Sequence, residues 1–463
     1  MRLNLILIIF LLTFFSLKAF PQKEAKVKVG KISVSGDKIT HKPIILRELE
    51  FSEGDELSEN ELDKKILNSK QNLLNQSLFN FVYIDKKQKN NIVDIEVRVI
   101  ERWYIWPIPL IEYADRNINV WWKTKDFSRL NFGVDLRVEN FRGRKEILNI
   151  IAKGGYDQLY SVNWQIPYLN DEQTFGMGFK GTYKLNHEIA VSTLDNKFIY
   201  FKSNTFYARK MSSSGVNFTY RPGYRYLHQL DISLYQHQIA DSVLIINPDY
   251  TYGDNSYNYL KINYTYKQDN RDFKAYPLKG YYFDIQLTKI GFSIFSEDVN
   301  QIMMDVNVDH YFNIYKRWNF AYSLRGRLSY SNNFHPFFLT EGIGLNGFDL
   351  RGYELFVITG QNIGVLKSNL KFTIVPMKDF QIKWLKSEKF SKVFYGLYAN
   401  IFFDMGYAKE KYYYQGNPLS NQLLWGTGVG LDFVTYYDIV IGLSYAINKQ
   451  NKKGFYVSMV API

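Results

Sequence analysis

The chain of 463 residues contains no cysteine. That excludes disulfide frameworks, thiolate nucleophiles, cysteine-ligated zinc and iron–sulfur clusters together. After the first twenty residues no stretch reaches the ~18 consecutive apolar residues that mark a helical membrane span. Catalytic signatures are missing as well. His187-Glu188 is followed by Val191 where a zinc-binding helix needs its second histidine. Gly347 and Gly352 have phosphate-loop spacing, but Tyr353 stands where lysine is required. There is no Gly-x-Ser-x-Gly elbow, and the six histidines (His41, His187, His228, His237, His310, His335) are scattered. The expectation is a protein that is not an enzyme, with no metal and no cofactor.

What the chain has in excess is aromatic. Phe, Trp and Tyr make up 17% of it, with 37 Tyr, 35 Phe and 8 Trp, within an ordinary 46% hydrophobic total. Such a composition excludes disorder. The formal charge of +12 allows an anionic partner; lipopolysaccharide phosphates or segments of a client chain suit it better than nucleic acid. The amino terminus has Arg2, an apolar run from Leu5 to Leu17 and a small residue at Ala19. About 13 apolar residues are too few to span a bilayer, so residues 1–19 read as a secretory signal peptide.

Residues 26–102 have a pattern of their own. Val27, Val29, Ile32 and Val34 mark an extended segment ending at the turn Ser35-Gly36-Asp37. Thr40–Leu49 reads as a short helix with Pro43 in its first turn. Ser58-Glu-Asn-Glu61 is a capping box opening a helix with Leu62, Ile66 and Leu73 on one stripe. Strands follow at Phe79–Asp85 and Ile92–Ile100, the second alternating Val93, Ile95, Val97 and Val99 with polar residues. This β-α-α-β-β order fits a generic ferredoxin-like module. Through Val34-Ser-Gly36, Ile45-Leu-Arg-Glu-Leu49, Gly54-Asp55, Leu73-Leu74 with Leu78-Phe79, and Val97-Arg-Val-Ile-Glu-Arg102 it also resembles a POTRA domain. The resemblance implies a periplasmic module that receives client chains along its sheet edge.

From Trp103 to the carboxy terminus the hydrophobic period is two. Leu130, Phe132, Val134, Leu136 and Val138 alternate with polar residues, as do Leu366, Leu370, Phe372 and Ile374. A soluble sandwich alternates in the same way. Three features favour an all-β transmembrane barrel over residues 103–463. The strands are about 10 to 14 residues long. Aromatics crowd their ends (Trp103, Trp106, Trp121, Trp122, Tyr281, Tyr282 and Tyr412-Tyr-Tyr414), and a signal peptide precedes a chain without a helical anchor. Candidate strands begin near residues 104, 129, 146, 159, 175, 206, 227, 257, 280, 302, 318, 363, 394, 425, 438 and 454: about sixteen antiparallel strands, an even number. The stretch 187–203 reads either as a loop or as an extension of the sixth strand. If Tyr395, Leu397, Ala399, Ile401 and Phe403 face lipid, then Asn400, Phe402, Asp404 and Gly406 face the lumen, which places a carboxylate inside the barrel.

Several motifs narrow the class of barrel. Gly344-Leu-Asn-Gly347-Phe-Asp-Leu-Arg351-Gly352-Tyr353 lies in the long connection 332–362. Phe402-Phe-Asp404-Met-Gly406, Gly426-Thr-Gly428-Val-Gly430 and the terminal Phe455-Tyr-Val457-Ser-Met459-Val-Ala-Pro-Ile463 follow, and Asp269-Asn-Arg-Asp272 with Tyr276-Pro-Leu-Lys-Gly280 precedes. In this order they resemble the outer-membrane insertase and translocase superfamily (bacterial surface antigen family). That superfamily includes the Bam-complex barrel, the mitochondrial sorting barrel and the two-partner secretion transporters.

The resemblance implies that the long loop folds into the lumen, Arg351 meeting Asp404 while Gly352, Gly406, Gly426, Gly428 and Gly430 make room. Two unrelated charges in a wet pore are the alternative. It also implies a seam between first and last strands, with Phe455, Val457 and Met459 on the last. Pro107 and Pro109 lack N–H donors and suit such an edge, or else a linker between the domains; Pro462 is on the other side. Ile463 departs from the terminal aromatic of the family pattern. The function so implied is insertion of client proteins into the bacterial outer membrane, with accessory periplasmic lipoproteins as further partners. A secretion pore exporting a protein through the lumen, and a structural or diffusive barrel, are the alternatives.

Overall fold

The computed structural model describes residues 26–113, 130–295, 299–331, 334–385, 388–435 and 437–459. The signal-peptide segment, Trp121, Trp122, Pro462 and Ile463 lie outside the described residues.

The amino-terminal domain runs β1 (Lys26–Ser35), α1 (Lys42–Leu46), β2 (Glu56–Ser58), α2 (Glu59–Leu74), β3 (Phe79–Lys89) and β4 (Ile92–Glu101). Its sheet order is β2-β1-β4-β3, with β1 and β4 parallel. The Ser58 hydroxyl accepts the Glu61 N–H at 3.3 Å and starts α2. Leu62 and Leu73 of that helix are fully buried against Val29, Ile45, Ile95 and Val97, with Ile66 packed beside them. The strand β2 corrects the expected β-α-α-β-β order. It pairs Glu56, Leu57 and Ser58 with Lys28, Val27 and Lys26, and three residues are too few to carry a periodic signal.

The barrel begins with β5 (Ile105–Tyr113), β6 (Leu130–Phe141), β7 (Glu146–Gly155), β8 (Gln158–Ile166) and β9 (Phe175–Asn186). A small separate hairpin, β10 (Glu188–Leu194) and β11 (Lys197–Lys202), occupies the stretch that the periodicity left ambiguous. The wall continues through β12 (Arg209–Tyr220), β13 (Tyr226–Ile239), β14 (Ser256–Asp269), β15 (Gly280–Ile290), β16 (Gln301–Tyr315) and β17 (Trp318–Ser331). Within the long loop β18 (Gly342–Ile343) pairs with β19 (Ile358–Thr359). The wall then closes out with β20 (Asn362–Gln381), β21 (Lys392–Lys409), β22 (Leu424–Thr435), β23 (Ile439–Asn448) and β24 (Lys453–Ser458).

Leaving aside the two small hairpins, β5 to β24 form one antiparallel sheet of sixteen strands in chain order. Its side chains alternate as the dyad pattern demands: Ile401 and Phe403 are exposed outward, while Phe402 and Asp404 are buried within.

The domain sits across the near rim of the barrel, where strand β5 begins. Glu48, fully buried, accepts Arg221 Nη1 at 2.6 Å and Nη2 at 3.1 Å. Arg47 Nε donates to the Gln173 carbonyl at 2.9 Å, and the Tyr224 hydroxyl to the Leu49 carbonyl at 2.6 Å. Elsewhere on the rim Arg102 donates to both oxygens of Asp438, at 2.7 and 3.1 Å, and the Ser77 hydroxyl joins them at 3.1 Å.

Burial by itself would raise the Glu48 carboxyl; Arg221, with Lys145 and Arg47, outweighs it and holds the group below the ordinary carboxylate range. A lowered folded-state value means that the Glu48 contribution is fully present above the unfolded carboxylate range and is lost as pH falls through the folded value. Docking is therefore expected to loosen below about pH 4. Glu48→Gln should loosen it at neutral pH and remove that acid dependence. Spin labels on two cysteines introduced into this cysteine-free chain, one in the domain and one on the rim, report the separation. An acid transition that persists unchanged in Glu48→Gln would refute the assignment.

Candidate functional site: lumenal loop, wall and seam

The segment between β17 and β20 turns back into the barrel and carries its own small core. Ile343, Phe348, Leu350, Tyr353 and Ile358 pack against Ile363, Val365, Ala408 and Leu424 of the wall. That core carries Arg351 to the wall. Arg351 Nε lies 2.7 Å from Asp404 Oδ2 and Nη2 lies 2.5 Å from Oδ1, a bidentate pair. Nη1 donates to Asn369 Oδ1 at 2.8 Å, Nη2 also to the Ser368 carbonyl at 3.2 Å, and the guanidinium lies over the Phe402 ring at 3.9 Å. Asp404 is completely buried. Further along, Arg325 Nη1 holds the Gly347 carbonyl at 2.6 Å, and Arg327 pairs with Asp305 at 2.6 and 2.7 Å.

The glycines divide into two groups. Gly352 has φ +89°, a conformation other residues rarely adopt, and its carbonyl accepts Asn448 Nδ2 at 2.7 Å. A Cβ on Gly426 would sit 2.0 Å from the Arg351 carbonyl oxygen, and one on Gly406 3.0 Å from both Ile343 and Leu350. These two make room for the loop. Gly428 instead clears the Phe402 ring and the neighbouring Tyr445 carbonyl, and Gly430 faces the Asn400 side chain. The expectation that all four make room for the loop is corrected to that extent. Tyr353 is buried in the loop core with its hydroxyl 3.4 Å from the Trp425 carbonyl.

A second insertion enters from the near rim, and sequence reasoning assigned it no role. The turn between β14 and β15 is tied by Asp272, whose Oδ1 accepts the N–H groups of Phe273, Leu278 and Lys279 at 2.9 to 3.2 Å. It lifts Tyr276 into the lumen, where the hydroxyl donates to Asp432 Oδ2 at 2.7 Å and the ring meets Tyr398 at 4.5 Å. Asn400 shares the same Asp432 oxygen at 2.9 Å, and the Lys371 ammonium lies 4.3 Å over the Tyr276 ring. The available signal was Asp269-Asn-Arg-Asp272, a turn-forming cluster ahead of Tyr276-Pro277.

At the seam, Pro107 and Pro109 lie inside β5, opposite Leu136 and Val134 of β6. Two residues apart, both point the same edge outward. Because β5 pairs residue for residue with β6, the donor-free edge is the one facing β24. Among the described residues no ladder joins β24 to β5. Phe455, Val457 and Met459 are 76%, 73% and 72% exposed, more than the outward residues of paired strands such as Leu443 at 48%, as an edge without a neighbour requires. Below β24 the start of the first strand is held by the turn before β23: Trp103 N–H donates to the Tyr437 hydroxyl at 2.9 Å, and Trp106 meets the Tyr437 ring edge-on at 5.0 Å.

Some expected girdle aromatics lie elsewhere. Tyr282 points inward beneath the Arg271 guanidinium, 4.7 Å away. Tyr412 and Tyr413 pack on Phe334, His335 and Phe337 over the far rim, with the Tyr413 hydroxyl on the His335 carbonyl at 2.7 Å. Their ends-of-strand position was legible; their direction depends on the loop that they cover.

A family model described as the Omp85 superfamily domain matches residues 140–459. A POTRA model, described as surface antigen variable number repeat, matches residues 27–102. The fold is similar to that of BamA from Haemophilus ducreyi lacking POTRA domains 1–3, at 14% identity over 94% of this chain and 83% of that one, TM-score 0.51. It is similar also to CdiB from Escherichia coli, at 10% identity over 93% and 75%, TM-score 0.52. A search of curated protein sequences returns no match.

Arg351→Ala would leave Asp404 buried without its counter-ion, at a cost of about 3–5 kcal/mol. Replacing both partners by apolar residues should cost less than either single change. Protease sensitivity of the loop and the heat-dependent gel mobility of the barrel measure this; a double variant as damaged as the sum of the singles would contradict it. Gly426→Ala should expel the loop even though Arg351 and Asp404 are both still present.

Proposed function

The chain belongs to the Omp85 superfamily, and from that premise we propose that it inserts client β-barrel proteins into the bacterial outer membrane, its amino-terminal POTRA domain in the periplasm. The edge between β5 and β24, where no ladder is formed among the described residues, carries the reading. An edge strand presents a row of unsatisfied N–H and C=O groups, the natural template for an incoming strand. In hydrocarbon such groups are costly to leave bare, so a client strand that pairs there gains more than it would in water. The work is noncovalent and needs no catalytic residue, cofactor or metal. Unfolded outer-membrane clients are the primary partners. Lipopolysaccharide is the anion that the basic excess would meet, and periplasmic lipoproteins are candidate accessories.

Both families of barrel among the structural neighbours keep a secretion pore in view. The doubly obstructed lumen argues for lateral release over export: the loop core fills one end, and Tyr276 with the docked domain obstructs the other. The same obstruction weighs against a diffusive barrel.

Cysteines introduced at Ile108 of β5 and Val457 of β24, joined by a short bifunctional crosslinker, lock the seam. The expected outcome is that assembly of client barrels into vesicles stops and returns on cleavage of the crosslinker. Assembly that proceeds unchanged through a locked seam would remove lateral insertion. Export of a partner through the locked barrel would establish the secretion reading in its place.

A further inference from the structure

A cavity of about 280 Å³ lies at the joint between the amino-terminal domain and the near rim. Asn75 and Gln76 of the domain roof it, and four successive rim turns with their strand ends wall it. Its lining carries five cations, Lys145, Arg221, Arg225, Lys267 and Lys274, against one carboxylate, Asp269. Most of the available negative charge is already engaged. Glu48, just outside the lining, is taken by Arg221. Asp269 accepts Arg271 twice at 2.8 Å and has Lys274 at 3.8 Å. Lys145 rests on the neutral Gln76 amide oxygen and Tyr168 hydroxyl, and Arg225 on Asn270 Oδ1 at 2.8 Å. Lys145, Arg225 and Lys267 therefore share a cavity and, among the described residues, form no ion pair.

Like charges gathered in a partly enclosed space repel one another more than they would in open water. An anion in the cavity relieves that repulsion. Lys274 registers the crowding: burial of its ammonium and the proximity of Lys145, Arg221 and Arg271 hold it below the ordinary lysine range, against the pull of Asp269, although its side chain is half exposed to the cavity. The cavity is at the small end of ligand sites, which run from ~300 to ~1,000 Å³. It has room for one or two compact anionic groups and none for a folded partner. Thr219, Gln165 and Tyr282 also line it.

We propose that this cavity is an anion-binding site for acidic side chains of a polypeptide passing beneath the amino-terminal domain. The identity of that occupant rests on the client-handling reading above; the anion site itself does not. Client segments rich in Asp and Glu would then be held at the barrel mouth before they reach the seam. Lys267 and Lys145 are the binding residues, and Lys274 completes the ring of charge.

The full-length protein in detergent micelles tests this by fluorescence anisotropy. The probes are a labelled decapeptide carrying Asp-Glu pairs, its Asn-Gln counterpart, and inorganic phosphate as competitor. The acidic peptide should bind at least ten-fold more tightly than the neutral one, and weaken as salt rises. Lys267→Gln and, independently, Lys145→Gln should each weaken it several-fold with the heat-dependent gel shift retained, while Lys28→Gln on β1 leaves it unchanged. The seam-locked barrel should bind the peptide as well as the unlocked one, so failure of the insertion reading and failure of this site give different results. Equal binding of the two peptides, or undiminished binding by both folded cavity variants, would overturn the proposal. Binding of phosphate without binding of the acidic peptide would overturn it in favour of a site for free inorganic anions.

Discussion

A backbone in hydrocarbon must find all its hydrogen bonds within the protein, and a sheet satisfies that requirement only by closing. The rest of this structure follows from how far it does so. Fourteen inner strands have a neighbour on each side, and their outward faces are mainly apolar. The two terminal strands stand apart from that regularity. β5 gives up two donors to proline on its outer edge, and β24 has only six residues, two of its outward side chains more than 70% exposed. Nothing in the physics of barrels favours an unfinished edge for stability. Its presence in a chain that builds the other strands so regularly is the observation from which the proposed insertion at the edge proceeds.

An unfinished wall still needs something to hold its shape, and two insertions into the lumen supply it from opposite ends. The long loop bridges the wall through a buried ion pair whose net contribution to stability is small, because removing both charges from water offsets most of their attraction. Its value is geometric. Four acceptor oxygens of Asp404, Asn369 and Ser368 together fit one position of the guanidinium, so the loop is either seated or absent. The Tyr276 turn acts on the same strands: Asp432 on β22 and Tyr398 on β21 receive it. Both insertions therefore brace the carboxy-terminal half of the barrel, the half that ends at the seam, and leave the amino-terminal half to be held by the docked domain.

Most of the wall was legible in the sequence because a strand in lipid has a strict period of two and because a one-residue slip would expose its polar face. Every barrel strand begins within about three residues of its expected position. The Arg351–Asp404 contact was an implication of the family resemblance, and parity independently placed Asp404 inside the barrel. Where contacts depended on tertiary direction the pattern was silent. Tyr282 and Tyr413 sit at or just past strand ends, as girdle residues do, yet one turns inward to a guanidinium and the other packs on Phe337 and the His335 carbonyl of the long loop. Gly430 has the spacing of the loop-facing glycines and faces Asn400. The strand β2 was too short to register, and nothing in local sequence announces that the Asp272 turn carries a tyrosine across the lumen.

The docked domain ties these parts together. Arg102 ends the domain and begins the barrel; its backbone N–H donates to the Leu78 carbonyl and its Nε to the Phe79 carbonyl, while its outer nitrogens reach Asp438 in the turn before β23. One side chain thus joins the domain, the first strand and the fifteenth. The sixteenth, lying between them in the wall, makes no ladder to the first among the described residues. Movement of the domain away from the rim would break the Asp438 contacts of both Arg102 and Ser77 and would free the base of β5. The domain and the seam are in that sense one mechanical unit.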